Sequence, residues 1–261
     1  MGGWPKGRLL RKVPHMSKFA LVTGANRGLG FETSRQLGNA GFVVILGSRS
    51  AAAGEAAAAK LRSAGIDAET VVLDVTSRPS VQAAAAEVQR RHGRLDALVN
   101  NAGVLPEATE GNKDGLPDLD LFRRTFETNL FGAVAVLQEL LPLLRESKAG
   151  RIVNVSTTMG SLTEQLNRDS PYFGLVVPAY QGSKAALNAL TIALAKSLAD
   201  TPVKVNAICP GWLQTDLGGP DNRAAAPMTA AEGARIVVEM ACLGDDGPSG
   251  RFVDRDGVVA W

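Results

Sequence analysis

The chain has 261 residues, of which 45% are hydrophobic and 21% charged, a composition that excludes a disordered or fibrous protein and predicts a globular one. This length suits one α/β domain with a deep core and is short for two. The formal net charge of +2 depends on five basic residues among the first eighteen, without which the chain is slightly acidic. We therefore expect a flexible basic N-terminal extension over residues 1–17, a single domain over residues 18–261, and neither nucleic acid nor a membrane as partner.

Seven short apolar runs, rich in β-branched residues, recur along the chain and predict strands. They are Phe19–Thr23, Phe42–Leu46, Thr70–Leu73, Ala97–Val99, Arg151–Val155, Val203–Ile208 and Arg251–Asp254. Because these runs do not alternate with polar residues, each strand should be buried on both faces, which is typical of a parallel sheet covered by helices. Right-handed crossovers then predict an α/β doubly wound fold of the Rossmann type, with a mostly parallel seven-stranded sheet and helices on both faces.

A glycine-rich loop directly follows the first predicted strand and leads into a helical run. The loop contains Gly24, Asn26, Arg27, Gly28, Leu29 and Gly30. Glycines allow the backbone to approach a pyrophosphate closely, and the helix N-terminus that follows offers free amides and a positive dipole end. The order of strand, loop and helix therefore predicts a dinucleotide site. The alternative is a tight turn without a ligand.

The end of the second predicted strand distinguishes between the two nicotinamide dinucleotides. An acidic side chain there would bind a free ribose 2′-hydroxyl, but this sequence has Ser48 and Arg49. A guanidinium pairs well with a phosphate dianion, and Arg27 adds a second positive charge. We therefore predict NADP(H) as the cofactor, the alternative being that both arginines are solvated surface charges. Asp74 and Val75, after the third strand, are candidates for the adenine, although Asp74 is equally suited to cap a helix.

Tyr180 and Lys184 lie four residues apart near the start of a predicted helix over residues 179–199, so both project from one face. The strand before them ends in hydroxyl residues at the edge of the sheet where such folds bind ligands. Reduction of a carbonyl by hydride builds negative charge on oxygen and needs a proton donor together with a second hydrogen bond. Tyr180 would donate the proton, and Lys184, with oxidised nicotinamide, would lower the pKa of the phenol. The alternative is a half-buried core tyrosine and a solvated lysine.

Taken together, these motifs resemble those of the short-chain dehydrogenase/reductase family across nearly the whole chain, from Lys18 to Trp261. Further matches in the same order are Asn100 to Gly103, Asn129, the strand containing Asn154, and Pro210 to Gly211. The resemblance implies that Asn101, Ala102 and Gly103 line the cofactor. It also implies that Asn129 holds a water linking Lys184 to solvent, although a buried amide satisfied by backbone groups is the alternative.

The resemblance assigns further roles near the nicotinamide and the substrate. Pro210, Gly211, Trp212 and Thr215 are similar to the segment that holds the nicotinamide carboxamide, with Trp212 extending toward the substrate. The catalytic hydroxyl would belong to Thr157, three residues after Asn154, where the family usually has serine. Ser156 is the alternative, because neighbouring strand residues face opposite ways and only one should point at the substrate.

The segment between this hydroxyl and Tyr180 is longer than in most family members, which implies an insertion at about residues 161–178, as in carbonyl reductase-like members. Its apolar side chains, including Tyr172 and Phe173, would either cover a bulky carbonyl substrate or only pack on the domain. The same insertion would lie near the helices by which family members form tetramers, so the sequence leaves open whether the protein is a monomer or a homo-oligomer.

The sequence therefore predicts NADPH-dependent reduction of a small-molecule ketone or aldehyde to an alcohol. NADP-dependent alcohol oxidation at the same site is one alternative, and a catalytically silent NADPH-sensing regulator is another. Cys209 and Cys242 have neither disulfide-framework nor metal-ligand spacing, and we expect no metal. With no apolar segment of membrane-span length, we expect a cytoplasmic enzyme.

Overall fold

A computed structural model of the chain describes residues 17–110 and 116–261. The basic extension predicted over residues 1–17 lies, apart from Ser17, outside the described residues. Eight strands occur in the described part of the chain. They are β1 (Lys18–Thr23), β2 (Phe42–Ser48), β3 (Ala68–Val72), β4 (Ala97–Asn100), β5 (Arg151–Val155), β6 (Lys204–Ile208), β7 (Phe252–Asp254) and β8 (Gly257–Val258).

Helices separate most of the strands. They are α1 (Gly28–Asn39), α2 (Ala51–Ser63), α3 (Arg78–His92), α4 (Glu107–Glu110), α5 (Leu119–Phe126), α6 (Gly132–Arg145), α7 (Leu162–Leu166), α8 (Pro178–Ser197), α9 (Gly219–Ala225) and α10 (Ala230–Ala241). A π-helical turn over Glu127–Phe131 joins α5 to α6, and short 3₁₀ turns cover Thr158–Gly160 and Asp216–Gly218.

The strands form one sheet in the order β3-β2-β1-β4-β5-β6-β7-β8. Every neighbouring pair from β3 to β7 is parallel, so the predicted doubly wound sheet is confirmed. The eighth strand was not predicted. It pairs antiparallel with β7 through a tight turn, in which the Asp254 carboxylate accepts from the amides of Asp256 and Gly257. Two residues are too few to give a periodic pattern in the sequence.

Alternate residues of the central strands pack on opposite faces of the sheet, as burial on both sides requires. On β1, Ala20 and Val22 join a buried cluster with α1, α2 and α10, while Leu21 joins a second cluster with α3, α6 and residues of α8. The two helical layers therefore cover both faces of the sheet and leave its carboxyl edge accessible.

The order of the strands reverses at β1, because the chain runs outward from β1 to β3 and then returns to place β4 on the other side of β1. Loops leaving two neighbouring strands in opposite directions open a crevice outside their carboxyl ends, where ligands of such folds bind. The glycine loop after β1 and the Asn101–Gly103 segment after β4 face each other at this point.

Candidate active site

A cleft with a volume of about 1500 Å³ lies along the carboxyl edge of the sheet. It brings together most of the predicted site residues. These are Gly24, Asn26, Arg27, Gly28, Leu29, Gly30, Arg49, Asp74, Val75, Asn101, Ala102, Gly103, Ser156, Thr157, Tyr172, Tyr180, Lys184, Pro210, Gly211, Trp212 and Thr215. Residues far apart in sequence thus meet in one continuous crevice, as the parallel sheet predicted.

At three positions of the glycine loop, a residue with a side chain would be strained or would clash with neighbouring atoms. Gly24 and Gly28 have φ angles of 64° and 56°, in the left-handed region that favours glycine. A Cβ on Gly30 would lie 2.5 Å from the Gly24 carbonyl oxygen and 2.6 Å from Nδ2 of Asn101. The start of α1 therefore packs closely against the loop and against Asn101, and the loop residues line the cleft.

Hydrogen bonds from the end of β4 hold this loop in place. The amides of Asn101 and Ala102 both donate to Oγ1 of Thr23 at 2.9 Å, and the Asn101 side chain donates to the Thr23 carbonyl at 2.8 Å. Asn101 therefore supports the loop through its side chain, which sequence reasoning did not specify. Ala102 and Gly103 follow it along the cleft wall.

The residues predicted to determine the preference for NADP(H) over NAD(H) differ in whether they line the cleft. Arg49 lines the cleft, whereas Ser48 is 2% exposed and its hydroxyl donates to the Ser50 carbonyl. The prediction that Ser48 contacts the cofactor is not supported, because this side chain is used within the β2–α2 connection. Arg27 lines the cleft, and its guanidinium pairs at 3.1 Å with Asp216, which also pairs with Arg223.

Asp74 and Val75 both line the cleft. The Asp74 carboxylate accepts from the amide and hydroxyl of Thr76 and so closes a turn after β3. It does not cap α3, since Ser77 is the N-cap residue of that helix and accepts from the Ser80 amide.

Tyr180 and Lys184 are almost completely buried at the base of the cleft, with exposures of 7% and 4%. The Lys184 ammonium nitrogen donates to the Val155 carbonyl at 2.8 Å and lies 5.7 Å from the centroid of the Tyr180 ring. Both side chains therefore lie on one face of α8, as their spacing predicted, and neither is a solvated surface residue.

Burial determines the acidity of this pair. It strongly raises the pKa of Tyr180, and the nearby Cys209 thiol raises it further. Burial also lowers the pKa of Lys184 to about 8, with Cys209 acting in the opposite direction. Burial therefore dominates the pKa of Tyr180 in the protein alone, and the lowering expected beside Lys184 and oxidised nicotinamide stays a prediction. The depth of burial could not be read from a four-residue spacing.

Asn129 lies in the π-helical turn between α5 and α6 and is 1% exposed. Its amide accepts from the Val104 amide, and donates to the Val104 carbonyl and the Ser183 hydroxyl. The alternative of a buried amide satisfied largely by backbone is thus the arrangement observed. The side chain fixes the loop after Gly103 against α8, and the water link from Asn129 to Lys184 stays a prediction.

The two candidate hydroxyls differ in exposure. Thr157 is partly exposed in the cleft, and its Oγ1 accepts from the Met159 amide at 3.3 Å. Ser156 is 2% exposed, and its Oγ has no hydrogen-bond partner among the residues that the structure describes. Strand alternation does not separate the two, because β5 ends at Val155.

On the substrate side, Tyr172 and Trp212 line the cleft, and the Trp212 indole donates to Asn222 at 2.6 Å. Phe173 is absent from the cleft lining as described, and its ring lies 5.8 Å from the Arg168 guanidinium. The predicted role of Phe173 in substrate contact is therefore not supported.

Sequence reasoning missed several residues that line the cleft. They are Cys209, Met228 and the turn and tail residues Asp254 to Ala260. It also missed Glu107, whose carboxylate bonds to the start of α8. No local pattern marks Glu107, since its bonds to α8 join residues more than seventy positions apart in the sequence.

Comparisons with known proteins agree with this architecture. A family model for short chain dehydrogenases matches residues 18–226. (−)-Isopiperitenone reductase from Mentha piperita is 32% identical, covering 95% of this chain and 99% of the relative. Carbonyl reductase (NADPH) 1 from Sus scrofa is 32% identical, covering 94% of each chain.

Solved structures are similar as well. Salutaridine reductase from Papaver somniferum superimposes with a TM-score of 0.77 at 30% identity, covering 90% of this chain and 99% of that chain. NADPH-bound carbonyl reductase from chicken fatty liver gives a TM-score of 0.77 at 28% identity, covering 94% and 99%. The chain therefore belongs to the short-chain dehydrogenase family of oxidoreductases, and the resemblance identified from its motifs is confirmed.

Two searches of the described residues concern other kinds of site. No helix within residues 17–110 and 116–261 combines the length and the apolar character needed to cross a bilayer. The same residues contain no cluster of three or more histidine, cysteine or acidic side chains placed to hold a metal ion.

Burial of Lys184 predicts a pH-dependent contribution to stability. The pKa of the amine falls from 10.5 to about 8 on folding, so below pH 8 the buried charge costs up to about 3 kcal/mol. This cost disappears as the pH rises from about 8 to 10.5. We expect Lys184→Met to melt at a higher temperature than the wild type at pH 7, and the difference to shrink as the pH rises through this range.

Thermal unfolding of both proteins, followed by circular dichroism across the range, measures the difference. Lys196→Met, at an exposed position on the same helix, is the matched control and should change stability by less than about 0.5 kcal/mol. A stability difference for Lys184→Met that does not vary with pH would contradict the assignment.

Proposed function

We propose that the protein catalyses NADPH-dependent reduction of a ketone or aldehyde to an alcohol. The observation that carries this proposal is the burial of Tyr180 and Lys184 at the base of a cleft that continues to the glycine loop. Relatives named as carbonyl reductase and isopiperitenone reductase support the direction of the reaction. The NADPH-bound carbonyl reductase structure supports the cofactor.

The residues of the cleft fit an NADP(H) molecule. Gly24 and Gly28 have positive φ angles in a loop that lines the cleft and leads into the N-terminus of α1, where backbone amides can bind a pyrophosphate. Arg49, with Arg27, would bind the 2′-phosphate. The remaining proposed contacts are Gly24, Asn26, Gly28, Leu29, Gly30, Asp74, Val75, Asn101, Ala102, Gly103, Tyr180, Lys184, Pro210, Gly211, Trp212 and Thr215.

When bound, NADPH supplies the hydride, and the chain supplies the proton. Tyr180 donates its phenolic proton to the carbonyl oxygen, and Thr157 donates a second hydrogen bond to the same oxygen. The raised pKa of Tyr180 keeps the phenol protonated near neutral pH, the form that a proton donor needs. Lys184 lies beside the phenol and anchors the ribose.

The first test measures NADPH consumption by the purified protein with quinones, aromatic ketones, steroids, terpenoid ketones and aldehydes. We expect turnover with NADPH, reduced by roughly 10²–10⁴-fold in Tyr180→Phe, because the variant retains the ring but has no proton to donate. NADPH binding should be little changed in this variant. Tight NADPH binding by the wild type without turnover of any compound would favour the silent regulator instead.

A second test assigns the catalytic hydroxyl. We expect Thr157→Val to lower kcat by roughly 10²-fold, since it removes one donor to the developing oxyanion while retaining the shape of the side chain. Ser156→Ala is the matched comparison and should keep most of the activity. The roles are reversed if Ser156→Ala loses turnover and Thr157→Val does not.

The third test concerns the choice of dinucleotide. Arg49→Ala should raise the Kd for NADPH by roughly 10-fold or more, the loss expected for a charge-assisted contact, and leave the Kd for NADH unchanged. Fluorescence titration of both dinucleotides gives the ratio. Lys60→Ala, an exposed residue of α2, controls for loss of surface charge. If Arg49→Ala raises the Kd for NADPH and the Kd for NADH by the same factor, Arg49 does not contact the 2′-phosphate.

A further inference from the structure

The helix that carries Tyr180 begins without a capping side chain of its own. Its N-cap residue is Val177, whose apolar side chain cannot accept a hydrogen bond, and its first residue, Pro178, has no amide hydrogen. The amide of Gln181 already donates to the Val177 carbonyl at 2.9 Å. Of the first-turn amides, those of Ala179 and Tyr180 therefore remain to be satisfied.

Glu107 satisfies both of these amides from another part of the fold. One carboxylate oxygen accepts from the Ala179 amide at 3.0 Å, and the other accepts from the Tyr180 amide at 2.7 Å. Glu107 is more than seventy residues away in sequence, at the start of α4, so this is a cap supplied by a separate segment. A carboxylate at a helix N-terminus forms charge-assisted bonds and offsets the positive end of the helix dipole.

The segment that carries Glu107 is itself fixed to the dinucleotide side of the cleft. It follows Asn101, which is bonded to the glycine loop through Thr23, and Val104, whose amide and carbonyl are both held by Asn129. The Glu107 carboxylate is therefore presented to α8 from a backbone that is anchored on both sides of the cleft.

We infer that Glu107 is a positioning residue for Tyr180, which holds the phenol in place and in its protonated form by capping the helix at the Tyr180 amide. This inference rests on the proposed function in treating Tyr180 as the proton donor. The removal of Glu107 would leave two amides without their acceptor and expose the phenol to the full positive end of the helix. The phenol would then ionise at a lower pH.

Other titratable groups face Tyr180 as well. They are Lys184, on the same helix, and Cys209, which follows β6. Tyr172, with Asp254 and Arg255 near it, lies elsewhere in the same cleft. Glu107 differs from them in that it bonds directly to the backbone of Tyr180. A variant at Glu107 changes the two bonds to the start of α8 and leaves the other groups in place.

The sequence has only two tyrosines, Tyr172 and Tyr180, so Tyr172→Phe leaves Tyr180 as the single phenol. In this background, the tyrosinate absorbance is followed against pH in three proteins: one that retains Glu107, one with Glu107→Gln and one with Glu107→Ala. Each protein is titrated once without dinucleotide and once with saturating NADP⁺. Glu107→Gln keeps an acceptor of similar shape but loses the charge, while Glu107→Ala loses both.

We expect Tyr180 in Glu107→Gln to ionise at a pH lower by roughly half to one unit, the size of a helix-terminus charge effect, and in Glu107→Ala to ionise at least as early. Glu110→Gln, the control, removes the other carboxylate of α4, which pairs with Arg124 of α5. It should leave the titration of Tyr180 unchanged. Circular dichroism at each pH shows whether the chain is still folded.

The inference would be overturned if the titration curves of the protein with Glu107 and of Glu107→Gln superimpose. It would also be overturned if Tyr180 ionises in both proteins only as the chain unfolds. An equal shift in Glu110→Gln would also overturn it. The absorbance needs no carbonyl substrate, so this outcome is independent of whether the reductase proposal holds.

If turnover is found, Glu107→Ala should lower kcat while leaving the KM for NADPH within about twofold, because the contact acts on Tyr180 and not on the dinucleotide.

Discussion

At the junction of β1 and β4, two loops leave neighbouring parallel strands in opposite directions, and the hydroxyl of Thr23 holds them together. It accepts from the amides of Asn101 and Ala102, while the Asn101 side chain returns a bond to the Thr23 carbonyl. Two parts of the cleft depend directly on this junction. The glycine loop takes its shape from it, and the segment that reaches α8 begins at it.

The chemical end of the cleft depends on polar groups held in a nearly dry environment. Burial of an amine and a phenol is costly unless each has a partner, and Lys184 finds one in the Val155 carbonyl at the end of β5. A polar chain extends beneath this point, since Asn100 donates to Asn154 and Asn154 donates to Thr191 of α8. These bonds tie β4, β5 and α8 together, so the pair lies on rigid elements and not on loops.

The rim of the cleft is built differently, from exposed and longer segments. Arg27 of the glycine loop pairs with Asp216 across the cleft mouth, and both side chains remain substantially exposed, so this ion pair adds little stability. Arg27 can therefore leave Asp216 for a phosphate at small cost. Solved structures of relatives share the overall fold, while the choice of substrate would depend on the rim segments around Tyr172 and Trp212.

Much of the fold was determined by the sequence alone. Seven apolar runs predicted seven strands, and a four-residue spacing put Tyr180 and Lys184 on one helix face, because these patterns are local and repeat with the period of the backbone. The tertiary structure alone decided how deeply the pair is buried, and this burial raises the pKa of Tyr180 and lowers that of Lys184. It also decided that Ser48 and Phe173 do not line the cleft as described, and that Glu107 caps α8. Burial and long-range hydrogen bonds depend on which surfaces meet after folding, and no local pattern records that.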